Sequence, residues 1–167
     1  GYFCEEVTVA PEECPAGTYN PHYGGVSEEE DCLPCPAGSY CEVASANITG
    51  VCARGYFCPE GSVSPMEREC PAKYYNAHEG ARKQSDCALC TSGDYCPTNA
   101  TVTPVECPTG SYCVTGVDEP EPCPPGSYGN TSGLRRAEDC SPCQPGTYCA
   151  GWGLTEPSGE CRAGYYC

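Results

Sequence analysis

Cys35-Pro36-Ala37-Gly38-Ser39-Tyr40-Cys41 decides the fold of this chain, because the same pattern returns along its whole length. Cys-x-x-Gly-x-aromatic opens at Cys14, Cys35, Cys52, Cys70, Cys90, Cys107, Cys123, Cys143 and Cys161, nine copies spaced 16 to 21 residues apart. Gly holds the fourth position in eight of the nine; Lys73 is the exception. The sixth position is aromatic throughout: Tyr19, Tyr40, Phe57, Tyr75, Tyr95, Tyr112, Tyr128, Tyr148 and Tyr166. Pro-x-Gly supplies a tight turn with Gly free to take positive φ. The aromatic is expected to fold over a neighbouring disulfide and supply most of the small core.

A longer period overlies the short one. Every third copy has no Cys after its aromatic (Asn20, Asn76, Gly129) and gains one three residues before the next opening Cys (Cys32, Cys87, Cys140). The module therefore has six Cys and about 54 residues. The first is Cys14, Cys32, Cys35, Cys41, Cys52, Cys58, and the second is Cys70, Cys87, Cys90, Cys96, Cys107, Cys113. The third is Cys123, Cys140, Cys143, Cys149, Cys161, Cys167. The expected divisions are 1–4 as the end of a preceding module, then 5–58, 59–113 and 114–167. Cys4 lies 54 residues before Cys58, in the phase of a sixth Cys, so it is expected to be unpaired here and the chain to be a window on a longer array.

Composition sets the class. Nineteen Cys in 167 residues exceed the density that marks a disulfide scaffold in a secreted chain. One Ile, four Leu and two Phe cannot offset the folding entropy of such a length, so covalent staples must. Eighteen Pro and 20 Gly break helices and long strands. The expected fold is small disulfide-rich repeats in an elongated tandem array, with short β ribbons and turns, little helix, and contacts between neighbours only. A net charge of −15 argues against nucleic acid as a partner. No apolar run of 18 residues is present, so no membrane span is expected in this segment.

Cys14-Pro-Ala-Gly-Thr-Tyr19, continuing through Ser27-Glu-Glu-Glu-Asp-Cys32-Leu-Pro-Cys35-Pro-Ala-Gly-Ser-Tyr-Cys41, resembles the ephrin-receptor-like cysteine-rich repeat. That family is a relative of the tumour-necrosis-factor-receptor and growth-factor-receptor repeats. It occurs in receptor ectodomains, in secreted multidomain proteins and in protist and algal surface arrays, and it is similar to parts of mastigoneme proteins. The resemblance covers the whole chain and is specific for fold rather than function. Spacing alone permits 15 pairings of six Cys. The receptor-type connectivity implied by the resemblance is Cys14–Cys32, Cys35–Cys52 and Cys41–Cys58, with equivalents in the next two modules. Each such bond would contribute about 3 kcal/mol in the chain-entropy treatment.

Other features are read against their plain alternatives. Cys32-Leu-Pro-Cys35, Cys87-Ala-Leu-Cys90 and Cys140-Ser-Pro-Cys143 have the zinc or redox spacing, but recurrence at one phase without nearby His favours members of separate disulfides. His22 and His78 are read as solvated loop residues, and Glu28-Glu29-Glu30-Asp31 as a solvated acidic loop rather than a calcium site. Asn47, Asn99 and Asn130 head Asn-x-Ser/Thr sequons and are expected to carry N-linked glycans. Residues 1–53 hold nine acids and no Lys or Arg. Arg82-Lys83 and Arg135-Arg136 occupy matching places five residues before Cys87 and Cys140, where the first module has Ser27-Glu28.

No nucleophile, base and orienting group stand together, so neither enzyme activity nor a metal or cofactor is expected. The expected function is structural: a component of an extracellular glycosylated filament, coat or surface appendage, whose partners are other copies of itself or neighbouring repeats. A receptor ectodomain that binds a protein ligand is the alternative. A cysteine-rich inhibitor or toxin is weaker, because those are usually single short modules.

Overall fold

The computed structural model describes residues 1–6, 9–164 and 166–167. The local architecture follows from the Pro-x-Gly turn. In Pro36-Ala37-Gly38-Ser39 the Ser39 N–H donates to the Pro36 carbonyl at 3.1 Å. Gly38, at φ +91°, occupies the left-handed position a type II turn requires. The next two residues leave the turn extended and pair antiparallel with the two residues that precede the following motif's Cys. Ser39–Tyr40 thus pairs with Gly50–Val51. Cys52 N–H, one step further, donates to the Gly38 carbonyl at 2.9 Å and closes the ribbon.

The chain divides into two compact units, residues 1–70 with 76–88, and residues 71–75 with 89–167. The first holds the ribbons Tyr2–Phe3 with Glu12–Glu13, Thr18–Tyr19 with Leu33–Pro34, Ser39–Tyr40 with Gly50–Val51, and Tyr56–Phe57 with Arg68–Glu69. The second holds Asp94–Tyr95 with Val105–Glu106, Ser111–Tyr112 with Glu121–Pro122, Ser127–Tyr128 with Ser141–Pro142, and Thr147–Tyr148 with Gly159–Glu160. Every strand is two residues long, and the described helix is one α-turn, Glu28–Asp31, and two 3-10 turns, Gln84–Asp86 and Ala137–Asp139. Prolines at 34, 122 and 142 are tolerated because each ribbon has only two strands and an outward edge. The fold is a disulfide-rich tandem series of ribbons and turns, as the composition requires.

Within each unit successive ribbons are joined by the same backbone bonds. In the first, Gly17 N–H donates to Cys41 O and Gly38 N–H to Cys58 O, both at 2.8 Å. In the second, Gly93 N–H donates to Cys113 O at 2.9 Å and Gly110 N–H to Gly129 O at 2.8 Å. Return bonds accompany them, such as Cys41 N–H to Ser62 O and Cys113 N–H to Leu134 O. The residue pairs joined recur with the motif period, so each rung is addressed by its neighbours.

Nine disulfides staple the rungs, and here the receptor-type pairing is corrected. Cys14–Cys32, Cys70–Cys87 and Cys123–Cys140 join first to second Cys. The expected Cys35–Cys52 and Cys41–Cys58 are not formed: Cys35 pairs with Cys41, and Cys52 with Cys58. Likewise Cys90–Cys96, Cys107–Cys113, Cys143–Cys149 and Cys161–Cys167 are local. The reason is the turn, which reverses the chain between the two Cys and brings the Cα atoms of Cys35 and Cys41 to 5.8 Å, within the span of a cystine. A bond closing so short a loop contributes about 2.3 kcal/mol in the chain-entropy treatment, somewhat less than a 17-residue loop. Cys4 is unpaired and exposed.

The core is cystine rather than aromatic, a second correction. Eleven Cys have no exposed surface, whereas only Phe3 and Phe57 among the motif-type aromatics are buried. Most of the tyrosines are half-buried and Tyr148 is 42% exposed. The hydroxyl explains this: a Tyr ring can cover a ribbon while its O–H stays in water. Tyr112 shows it, donating to Glu121 Oε2 at 2.6 Å, which raises its pKa.

Candidate functional site

The repeated surface of the rungs is the candidate site, and its parts are set by the long disulfide loops. Each of these loops ends in an Asp immediately before the second Cys. Asp31 accepts from the N–H groups of Val26 and Ser27 at 2.6 and 3.1 Å, and Asp86 from those of Arg82 and Lys83 at 2.7 and 3.2 Å. Asp139 accepts from Arg135 N–H at 3.0 Å and from Arg136 Nε at 3.1 Å. The backbone hydrogen bonds hold all three carboxyls below the ordinary range, led by Ser27, Arg82 and Arg135 respectively. The register also changes: Arg82-Lys83 and Arg135-Arg136 correspond to Val26-Ser27, not to Ser27-Glu28. The first module inserts one residue, which lengthens a 3-10 turn into the α-turn Glu28–Asp31 capped by Ser27 Oγ.

Asn20 and Asn76 stand where other copies carry a half-cystine, and they replace it by hydrogen bonding. Both are buried. The Asn20 side-chain amide donates to Tyr2 O at 3.1 Å and its carbonyl accepts from His22 N–H at 2.9 Å. Asn76 does the same with Tyr56 O and His78 N–H, at 3.2 and 3.1 Å. Sequence reading registered the missing Cys but not this substitution; two Asn among three vacant positions was the available signal. His22 and His78 are exposed and enter these turns through their backbone.

The sequons have three different settings. Asn47 and Asn130 are exposed, and so is Ser132 of the Asn130 sequon. Thr49 Oγ1 accepts from Glu42 N–H at 3.0 Å. Asn99 is exposed, but its carbonyl accepts from Ala72 N–H at 3.0 Å, and Thr101 is buried with its hydroxyl donating to Thr98 O at 2.6 Å. Among the described residues no group of three or more His, Cys, Asp or Glu is placed to hold a metal ion. No helix there is long and apolar enough to cross a membrane. A hollow of about 630 Å³ in the first unit is lined by Tyr2, Phe3, Asn20, His22 and Tyr23 among others and is open to solvent.

These features define a class: a cystine-stapled tandem ribbon repeat. No protein-family model matches the chain. It is 34% identical over 93 residues to the white-brown complex homolog protein 30 of Arabidopsis thaliana, covering 54% of this chain and 8% of that protein. It is 28% identical over 86 residues to the ABC-type transporter claG of Penicillium crustosum, covering 46% of this chain and 11% of that protein. The chain thus spans about a tenth of the length of these curated relatives.

Proposed function

We propose that this chain is a structural segment of an extracellular, glycosylated filament, coat or surface appendage, built from repeats of the ephrin-receptor-like kind, and that it is not catalytic. The observation that carries the reading is the repeated rung-to-rung bonding, in which Gly17 to Cys41 recurs as Gly38 to Cys58 and Gly93 to Cys113. A series joined by nearest-neighbour bonds can be extended by whole modules without redesign. Nine disulfides suit an oxidising compartment, and three sequons suit a glycosylated one. The modules lie in single file in this reading, and copies associate laterally through polar contacts. The acidic stretch 1–53 meets basic loops of a neighbour; each exposed pair contributes less than about 1 kcal/mol, so repetition along the array is needed.

A second reading is the ectodomain of a membrane-anchored protein, a receptor among the alternatives; the relative named as a transporter favours an attachment of that kind. Negative-stain imaging and sedimentation of the full-length secreted protein separate the two. Elongated particles that associate at low salt support the filament. Compact globules overturn the single-file arrangement, and particles that stay monomeric at high concentration transfer the weight to the ectodomain.

A further inference from the structure

We propose that Lys83–Gln84 and Arg136–Ala137 are cleavage sites for an endoprotease that recognises paired basic residues, and that the cut nicks the chain without dividing it. Four of the eight basic residues stand in the adjacent pairs Arg82-Lys83 and Arg135-Arg136, and all four are exposed. Their phase is the same in the two modules, directly before a 3-10 turn that buries nothing. Lys83 has φ −151° and ψ 162°, and Arg136 φ −160° and ψ 162°, the extended backbone a serine-protease cleft binds as an added strand. The stems of Arg82 and Arg135 lie against the turns at Gly38 and Gly93, with Cγ 3.1 and 3.4 Å from where a Cβ there would stand, and both side chains are exposed.

The other basic residues are placed differently. Arg54 and Lys73 lie inside closed turns, Lys73 at φ +77°, which no extended-binding cleft accepts; Arg68 is in a ribbon. Arg162 stands at the second position of the last motif. Hydrolysis adds one water across the Lys83–Gln84 amide, leaving a carboxylate on Lys83 and an amine on Gln84. The Cys70–Cys87 and Cys123–Cys140 bonds span the two cuts, so the pieces stay joined. Asp86 and Asp139 restrain the sites, because they hold the N–H groups of Arg82, Lys83 and Arg135. The first module has the same extended Ser27 and the same clamp but no basic pair, and serves as the internal control.

Limited digestion of the native, oxidised protein with an endoprotease specific for paired basic residues tests this whether or not the chain is secreted, so its outcome is independent of the filament reading. The expected product gains the mass of one water per nick, stays one species without reductant, and on reduction yields new amino termini at Gln84 and Ala137. Arg82→Gln with Lys83→Gln loses the first, and Asp86→Asn speeds that cut roughly fivefold. Initial cuts at any other basic residue, or resistance under conditions that digest the reduced chain, overturn the proposal.

Discussion

The ring of Tyr40 lies over the α-carbon of Gly50, its cross-strand partner, so closely that a Cβ at Gly50 would stand 2.8 Å from Tyr40 Cε1. Tyr148 covers Gly159 in the same way across the last ribbon of the second unit. An aromatic laid over a bare glycine gives a two-residue ribbon apolar contact that its length otherwise denies it. Gly50→Val forces the ring off the strand. It is expected to lower stability by about 1–2 kcal/mol, read as a fall in the guanidinium midpoint with an unchanged slope.

Left-handed positions give a prediction of opposite sign. Ala44 and Ala100 have φ of 57° and 55°, where an L side chain costs about 1 kcal/mol. Ala44→Gly and Ala100→Gly are therefore expected to stabilise, by up to about 0.5 kcal/mol each after the added entropy of the unfolded glycine. Gly38→Ala should do the reverse, since its new Cβ would meet the Gly80 carbonyl oxygen at 2.5 Å. Thermal melts of the three variants check both signs.

Asn76 tests whether hydrogen bonds replace a cystine. Asn76→Ala removes the partners of Tyr56 O and His78 N–H at a buried position. The expected loss is about 1–3 kcal/mol, the cost of leaving buried polar groups unmet. Asn20→Ala should behave alike, and hydrogen exchange at the His22 and His78 amides reports the loss locally.

Acid should loosen the three long loops together. Asp31, Asp86 and Asp139 have folded pKa values lowered by the amides they hold. A depressed carboxyl contributes stability that is fully present above its unfolded pKa near 3.9 and is lost as pH falls through the folded value. Exchange at the Ser27, Lys83 and Arg135 amides should rise on acidification below about pH 4, over the base-catalysed trend, and the triple Asn variant should flatten that dependence.

The motif made the rungs legible, since Cys, Gly and aromatic recur at fixed offsets that only a repeated turn explains. It did not make the pairing legible. Cys35 bonded to Cys41 and Cys35 bonded to Cys52 satisfy the same phase, and only the three-dimensional course of Pro36–Ser39 separates them. The aromatic plug was overvalued because sequence does not show that a Tyr hydroxyl keeps its ring near water. Asp31, Asp86 and Asp139 precede the second Cys in all three modules, a signal as regular as the glycines. Its meaning lies in amides three to five residues upstream, and nothing in the residue types points there. The same blindness misplaced Arg82-Lys83 against Ser27-Glu28 by one residue, because the extra residue of the Glu28–Asp31 turn is invisible without its cap.

Local stapling of each rung is the central claim, and non-reducing peptide mapping after cleavage at glutamate tests it most directly. Cleavage after Glu30, Glu42 and Glu60 yields Asp31–Glu42, with Cys32, Cys35 and Cys41, and Val43–Glu60, with Cys52 and Cys58. The pairing described here joins Asp31–Glu42 to the Cys14 peptide through Cys32 and leaves Val43–Glu60 separate, each with its own internal cystine. A species in which Asp31–Glu42 is covalently bound to Val43–Glu60 would contradict it.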